Sequence, residues 1–356
     1  MRVALQAPFG TQSFGQVSYG LLKALRLLGV EVNLFPIGEK INLGGFAPKK
    51  DLVDWISQSY AQRYSGLSSI DRSTRLWHIS GSEAMIPAPK TSLLTFHETS
   101  KAAPSEKEIL RLYSDPIVSS SYTKGVFADV PNIRNVHIGF DSEQNFPVDL
   151  SQRFDGEVHF GLMGKFEHRK HTAKIIRLWT RKYGNRKGFK LSCLVYNHML
   201  DKGMNDNLVD FACENKRYWN VSFVDRLASN AEVNSFMNSV DVDLTGLSGG
   251  EGWNLPAFNM TCLGKWSIVL NATSHKDWAT PQNSILVEPS GMIGSEDGLF
   301  FKAGRTVNLG MFYDFSEESF YAACEQAIKL AKKPNSHGVT LGKTMTYESM
   351  ARAILA

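Results

Sequence analysis

Residues 240–271, VDVDLTGLSGGEGWNLPAFNMTCLGKWSIVLN, constrain the fold more than any other stretch of the chain. Val240, Val242 and Leu244 have the β-branched, apolar character of a strand covered on both faces, and SGGEGWN cannot continue it because glycines favour turns. Pro256 suits a first helical turn, where its missing N–H is not needed, and WSIVLN supplies a second apolar strand. Glu251 is thereby placed at the carboxyl end of a strand, the edge at which open α/β sheets bind ligands. A helix starting near Leu255 would aim free backbone N–H groups at an anion there.

The rest of the chain repeats this alternation. MRVALQAPFGTQSFGQVSYGLLKALRLLGVEVNLFPI reads as a strand, a loop with Gly10 and Gly15, an amphipathic helix stopped by Gly29, and a second strand. The GxGxxG dinucleotide fingerprint is not met, so this loop alone is as well read as a plain turn. An amphipathic helix is expected around Leu52 to Tyr64, and RLWHIS and SLLTFHETS are expected to be later strands, the second ending at His97 before Glu98. In PIVSSSYTKGVFADV a strand passes into a helix through serines suited to cap it. Residues 141–156 are polar and aperiodic and contain Pro147, which marks an interdomain linker. A second αβ series follows, with strands at EVHFGLM, FKLSCLVYN, WNVSFVD and finally NSILVEP, and helices near Met204 to Asn215, at NAEVNSFMNSV and at SFYAACEQAIKLAKK. The expected division is therefore residues 1–150, residues 151–340, and a terminal helix in 341–356 that packs back towards the first domain.

Composition bounds the function classes. The chain has 356 residues, 43% hydrophobic and 21% charged, enough for two domains with separate cores. Its four cysteines lie apart in apolar segments without a CxxC pair, which points to buried free thiols rather than structural zinc. The opening strand lacks a signal peptide's apolar core, and no window offers the roughly 18 consecutive apolar residues of a membrane span, so a cytoplasmic protein is expected. A net charge of +4 suits anionic ligands and is too small to mark a nucleic-acid-binding protein.

A second chemically loaded stretch, GKFEHRKH, places Lys165, Arg169 and Lys170 between a strand end and a helix start. Such a run often only faces water. Cations at a helix N-terminus are nonetheless unfavourable without an anion to neutralise them, because the helix dipole is positive there, and a diphosphate is the anion that fits.

With these motifs in place the chain resembles the retaining glycosyltransferases of the GT-B fold, the large family that includes sucrose synthase and bacterial mannosyl- and glucosyltransferases. The family motif, a serine, two residues, EGFGLP and later a second glutamate, is matched by Ser248, Gly249, Gly250, EGWNLP and AFN. The family's Gly-Arg-x-x-x-x-Lys loop corresponds to Gly164, Lys165 and Lys170. Its N-terminal glycine loop, its strand-end histidine and its Asn-Gly-Val-Asp signature correspond to Gly10 to Gly15, His97 and the run from His137 to Asp141. The order holds over nearly the whole length.

The resemblance implies two Rossmann-like, doubly wound parallel-sheet domains facing a central cleft. It also implies transfer of a sugar, with retention at the anomeric carbon, from a nucleoside diphosphate sugar (a UDP- or GDP-sugar foremost) to an acceptor hydroxyl. Lys165 and Lys170 would stabilise the departing diphosphate in place of a metal ion, with Arg169 beside them. No metal site is expected, since Asp241 and Asp243 read as strand residues, and no tightly bound cofactor is expected. Glu251 would hold hydroxyls of the transferred sugar, His97 would touch that sugar from the opposite domain, and Gly15 would let its loop approach the diphosphate. Ser248, Gly252, Trp253, Asn254 and Leu255 would line the donor site, with backbone amides near the phosphate.

Three departures mark a divergent member. The second glutamate, a ribose clamp in the family, falls on Asn259; the family arginine is Lys165, which keeps charge and loses bidentate contact; and Trp253 and Asn254 replace smaller residues. Transfer to a modified DNA base, with Lys174, Arg181, Lys182, Arg186 and Lys187 extending the basic face, sugar-nucleotide epimerisation and non-catalytic nucleotide-sugar binding stand as alternatives. The acceptor, whether glycan, lipid-linked sugar, small molecule or modified DNA, is not encoded in any motif, nor is the oligomeric state.

Overall fold

The computed structural model describes residues 1–38, 40–148 and 156–356. The first half contains β1 (Arg2–Ala7), α1 (Ser13–Leu27), β2 (Glu31–Pro36), α2 (Lys50–Ala61), β3 (Arg72–Leu76), β4 (Lys90–Thr95), α3 (Pro104–Arg111), β5 (Asp115–Val118), α4 (Ser121–Val126) and β6 (Arg134–Asn135). Its six strands form one sheet in the order β2-β1-β3-β4-β5-β6, each pair parallel. Local chemistry sets several of these boundaries. α1 ends before Gly29, which adopts φ +69°, and the Ser120 side chain accepts from the Thr123 amide to start α4.

The second half contains β7 (Val158–Met163), α5 (Thr172–Tyr183), β8 (Phe189–Leu194), α6 (Lys202–Ala212), β9 (Val221–Phe223), α7 (Asn230–Ser239), β10 (Val242–Asp243), α8 (Leu255–Cys262), β11 (Trp266–Leu270) and β12 (Ser284–Val287). These strands form a second parallel sheet in the order β12-β11-β10-β7-β8-β9. That order reverses between β7 and β10, and at such a reversal two neighbouring loops leave the sheet in opposite directions and open a crevice. In the first sheet the reversal lies between β1 and β3. Both sheets thus present a crevice at their carboxyl edges.

Each half has its own apolar core. Around α5 and β7 it includes the fully buried Trp179 and Phe160, whereas Leu5, Leu22 and Leu34 lie in the core of the first half. The first core continues across the boundary through Trp253, Phe258 and Trp278. All four cysteines are buried free thiols. The domain boundary expected at residues 150 and 151, and part of the expected linker, lie outside the described residues.

One feature was not apparent from periodicity. β13 (Gly291–Gly294) and β14 (Met311–Asp314) pair as a separate antiparallel ribbon, after the strand expected to be last. Following α9 (Glu317–Leu330) and α10 (Ser336–Thr344), α11 (Tyr347–Leu355) returns to lie on α1, and Phe140 bridges to Thr346 where it begins. The buried guanidinium of Arg72 fixes that return, donating to the Leu355 carbonyl at 3.1 Å while pairing with Asp115 at 2.7 Å. No helix among the described residues is long and apolar enough to cross a membrane.

Candidate functional site

The loops after β7 and β10 meet at the reversal of the second sheet. Residues 168–170 form a single turn of 3-10 helix, and His171 adopts a left-handed φ of 54° that redirects the chain into α5. Its Nε2 donates to the Tyr313 carbonyl at 2.8 Å. Burial lowers the His171 pKa to about 4, so its ring is neutral at pH 7. The second loop, Ser248 to Asn254, lies directly on the first: the Gly249 amide and the Ser248 hydroxyl both donate to the Arg169 carbonyl, at 2.7 and 3.1 Å. A Cβ on Gly249 would sit 2.1 Å from the Tyr313 carbonyl oxygen and 2.6 Å from His171 Nε2, so only glycine fits between the loop and β14.

This packing brings three cations and three carboxylates together. Lys170 donates from Nζ to Glu251 at 2.6 Å, and Arg169 reaches the same carboxylate at 3.0 Å. Arg169 also pairs with Glu167 at 2.8 Å and, across the cleft, with Glu98 at 3.2 Å. Lys165 pairs with Glu167 at 3.0 Å. Burial alone would raise the Glu251 pKa, but Arg169 and then Lys170 hold it well below the carboxylate range, leaving an anion that accepts hydrogen bonds and does not act as an acid. Lys165, Lys170, Arg169 and Glu251 are therefore brought into one cluster. Gly164, at φ +119°, leaves room against the Lys170 side chain.

The other expected site residues fall at varied distances from this cluster. Ser248 is consumed by its bond to the 3-10 turn. The Gly252 carbonyl accepts from the Ser119 hydroxyl of the first half at 2.6 Å. Trp253, expected at the edge of the sugar pocket, is buried with its ring 5.5 Å from His137 and 5.3 Å from Phe258, so it seals the two halves together instead. Asn254 takes the left-handed conformation at the start of α8 and donates to the Thr245 carbonyl and to His275 Nε2, both at 3.0 Å. Leu255 and the half-buried Asn259 lie on α8 itself. Close packing at Gly15 is with the Gly10 carbonyl, 2.2 Å from where a Cβ would stand, so the smallness needed there serves the turn's own closure.

The His97 ring does not enter the cluster through any direct contact. It is buried in the first half, with Nε2 3.0 Å from the Thr99 hydroxyl, Nδ1 4.0 Å from Glu106 and an edge-on Phe127 at 4.9 Å. Burial lowers its pKa to about 4. The group that crosses the cleft is its neighbour Glu98. Sequence reading passed over Glu98 because an acidic residue after a strand has no motif of its own. It also passed over Glu167, the second carboxylate of the cluster, and His275, whose Nδ1 donates to the Leu270 carbonyl at 3.0 Å while Nε2 fixes Asn254. The adjacency of Glu98 to the strand-end histidine was the available signal for the first; none marked His275.

Of the basic residues that would extend a DNA-facing surface, Lys174 pairs with Asp314 at 2.7 Å, Arg181 with Glu214, and Lys182 with Glu325 at 2.7 Å. Among the described residues no cluster of three His, Cys, Asp or Glu side chains has a metal-holding geometry.

No protein-family model matches the chain, and no curated protein matches it in sequence. Solved structures do match over nearly its full length. Sucrose-phosphate synthase from Thermosynechococcus elongatus superposes with a TM-score of 0.68 at 12% identity, covering 99% of this chain and 97% of that one. The Anabaena protein HepE, in complex with UDP and glucose, gives 0.64 at 12% identity, covering 100% and 98%. The catalytic domain of Arabidopsis thaliana starch synthase IV, bound to ADP and acarbose, gives 0.63 at 12% identity, covering 99% and 97%. Two six-stranded parallel sheets joined in this way and matched end to end by these enzymes give the chain the GT-B fold of glycosyltransferases, with two Rossmann-like domains facing one cleft.

Proposed function

We propose that this protein transfers a sugar from a nucleoside diphosphate sugar to an acceptor hydroxyl with retention of anomeric configuration. The observation that carries the reading is the cluster of Lys165, Arg169, Lys170 and Glu251 at the reversal point of the second sheet, beside the N-terminus of α8. Support also comes from proteins of the same fold: HepE is known in complex with UDP-glucose, and starch synthase IV with ADP.

In this reading the diphosphate lies against Lys165, Arg169 and Lys170, with the first amides of α8 directed at it. As the glycosidic bond breaks, negative charge accumulates on the departing phosphate. Cations already fixed by packing stabilise it without reorganising at that moment, which is the most effective form of electrostatic catalysis. Glu251 stays ionised and accepts hydrogen bonds from hydroxyls of the transferred sugar. The acceptor attacks from the face the diphosphate leaves, and the departing phosphate oxygen takes the acceptor's proton. Bond making and breaking on one face accounts for retention without a carboxylate nucleophile. Water is a competing acceptor, and contacts across the cleft limit its access: Ser119 to Gly252, and the Ser121 amide to Asp277 at 2.6 Å.

A thermal-shift screen of UDP-, GDP- and ADP-sugars tests the donor half of this reading, because a ligand of the native state raises its melting temperature. One class is expected to raise Tm by several degrees in the wild type and not in Lys170→Ala. No shift with any nucleotide sugar would contradict it.

A further inference from the structure

The charges of the cluster balance. Lys165, Arg169 and Lys170 face Glu98, Glu167 and Glu251, so the cluster that would attract a diphosphate has no net positive charge. The three carboxylates are not equivalent. Glu167 and Glu251 each touch two cations, and their side chains are 4% and 7% exposed. Glu98 belongs to the opposite domain, touches Arg169 alone at 3.2 Å, and its side chain is 33% exposed. It is the one carboxylate of the three that can leave without stranding a buried charge, because its alternative partner is water. Its release would free one edge of the Arg169 guanidinium, whose remaining donors stay fixed by Glu167, Glu251 and the Gly250 carbonyl. That edge faces the cleft between the domains, and guanidinium forks bind carboxylate and phosphate oxygens in the same planar manner.

We propose that Glu98 and the donor diphosphate exchange on Arg169: Glu98 occupies the guanidinium edge that a phosphate oxygen takes, and donor binding requires its displacement. The proposal rests on the nucleotide-sugar reading above. Glu98 is thereby a residue that sets donor affinity and release. A phosphate bearing two or more charges outcompetes the single carboxylate, whereas a nucleoside monophosphate, which reaches fewer of the three cations, does so less well. Partial desolvation in the cleft, with Glu251 and Glu167 nearby and against the opposing pull of Arg169, raises the Glu98 pKa, which agrees with a carboxylate held less firmly than its two companions.

The test is calorimetric titration of UDP, with GDP and ADP as further probes, into the wild-type protein, Glu98→Gln and Glu98→Ala. Removing a competing charge from a partly exposed pair is expected to tighten nucleoside diphosphate binding by about fivefold. It is expected to change binding of the corresponding monophosphate by about twofold or less. Equal or weaker diphosphate binding in both variants, with melting temperatures near that of the wild type, would overturn the exchange and leave the donor reading standing. Two variants guard against one failing to fold. Absence of binding by all three nucleotides to all three proteins would overturn the donor reading, and the exchange with it.

Discussion

The carboxyl edges of the two sheets share an architecture and differ in chemistry. At the edge of the second sheet, charges are locked by packing: Arg169 and Lys170 converge on Glu251, and β14 props the glycine loop through the bond from the Tyr313 amide to the Gly249 carbonyl at 2.9 Å. The edge of the first sheet is built from rings. Phe14 lies 4.6 Å from His78 and 4.8 Å from Phe96, and Trp77 lies 5.1 Å from His78. His78 lies within electrostatic reach of Lys165 across the cleft, and partial desolvation in that cleft, with the positive charge, lowers its pKa. In the proposed reading the fixed charge of the second edge suits the donor phosphate, and the first edge is left to the acceptor.

The largest expected effect comes from breaking the charged edge. Lys170→Ala leaves Glu251 with Arg169 alone and removes a cation from the departing phosphate, so turnover should fall by about 10²- to 10³-fold. Glu251→Ala should match it while also lowering Tm, since Lys170 loses its carboxylate partner and Arg169 loses one of three. A steady-state assay with the donor identified by thermal shift checks both; turnover within a few-fold of wild type in either variant would remove the charged edge from the mechanism. The ring edge should respond differently. Trp77→Ala is expected to raise the acceptor KM by about tenfold, the scale of one lost aromatic contact, with donor affinity unchanged. If donor affinity falls instead, the division of labour is wrong.

Acid should separate stability from chemistry. His97, His171 and His275 are buried and neutral, each with a pKa lowered to about 4, chiefly by burial. The unfolded chain takes up these protons as pH falls through about 6.5, while the folded protein resists until about 4. The stability they contribute is therefore complete above about 6.5 and declines between about 6.5 and 4. Calorimetric Tm values against pH should show that decline, and His97→Gln should flatten part of it without altering donor affinity. A smaller change is expected at the exposed pair of Lys50 and Asp54, 2.6 Å apart, where Asp54→Ala should cost about 0.5 kcal/mol or less in denaturant unfolding.

The fold was legible because its signals are local and repeated. Apolar strands, glycine stops and serine caps recur along the chain, and the strand at Val242, the Glu251 turn and the helix at Leu255 all fall where the 240–271 stretch places them. The β13–β14 ribbon left no such trace: its two short strands are separated by 16 residues, too many to read as a hairpin, and its pairing is visible only in three dimensions. The charged half of the site was legible for a related reason, since Lys165 and Lys170 lie together in the sequence and the loop geometry brings Glu251 to them. What sequence spacing does not encode is side-chain direction. His97 and Glu98 are adjacent, yet one turns into the domain core towards Glu106 and the other crosses to Arg169. Trp253, read as part of a pocket wall, closes the interface with His137 for the same reason.

The claim that the second-sheet edge holds the donor is most directly tested by hydrogen exchange of the wild-type protein at saturating nucleotide sugar. The account predicts slowed exchange concentrated in residues 164–171 and 249–257, with the loops after β1 and β3 little changed. Protection confined to those first-domain loops, with 164–171 and 249–257 unaffected, would contradict it.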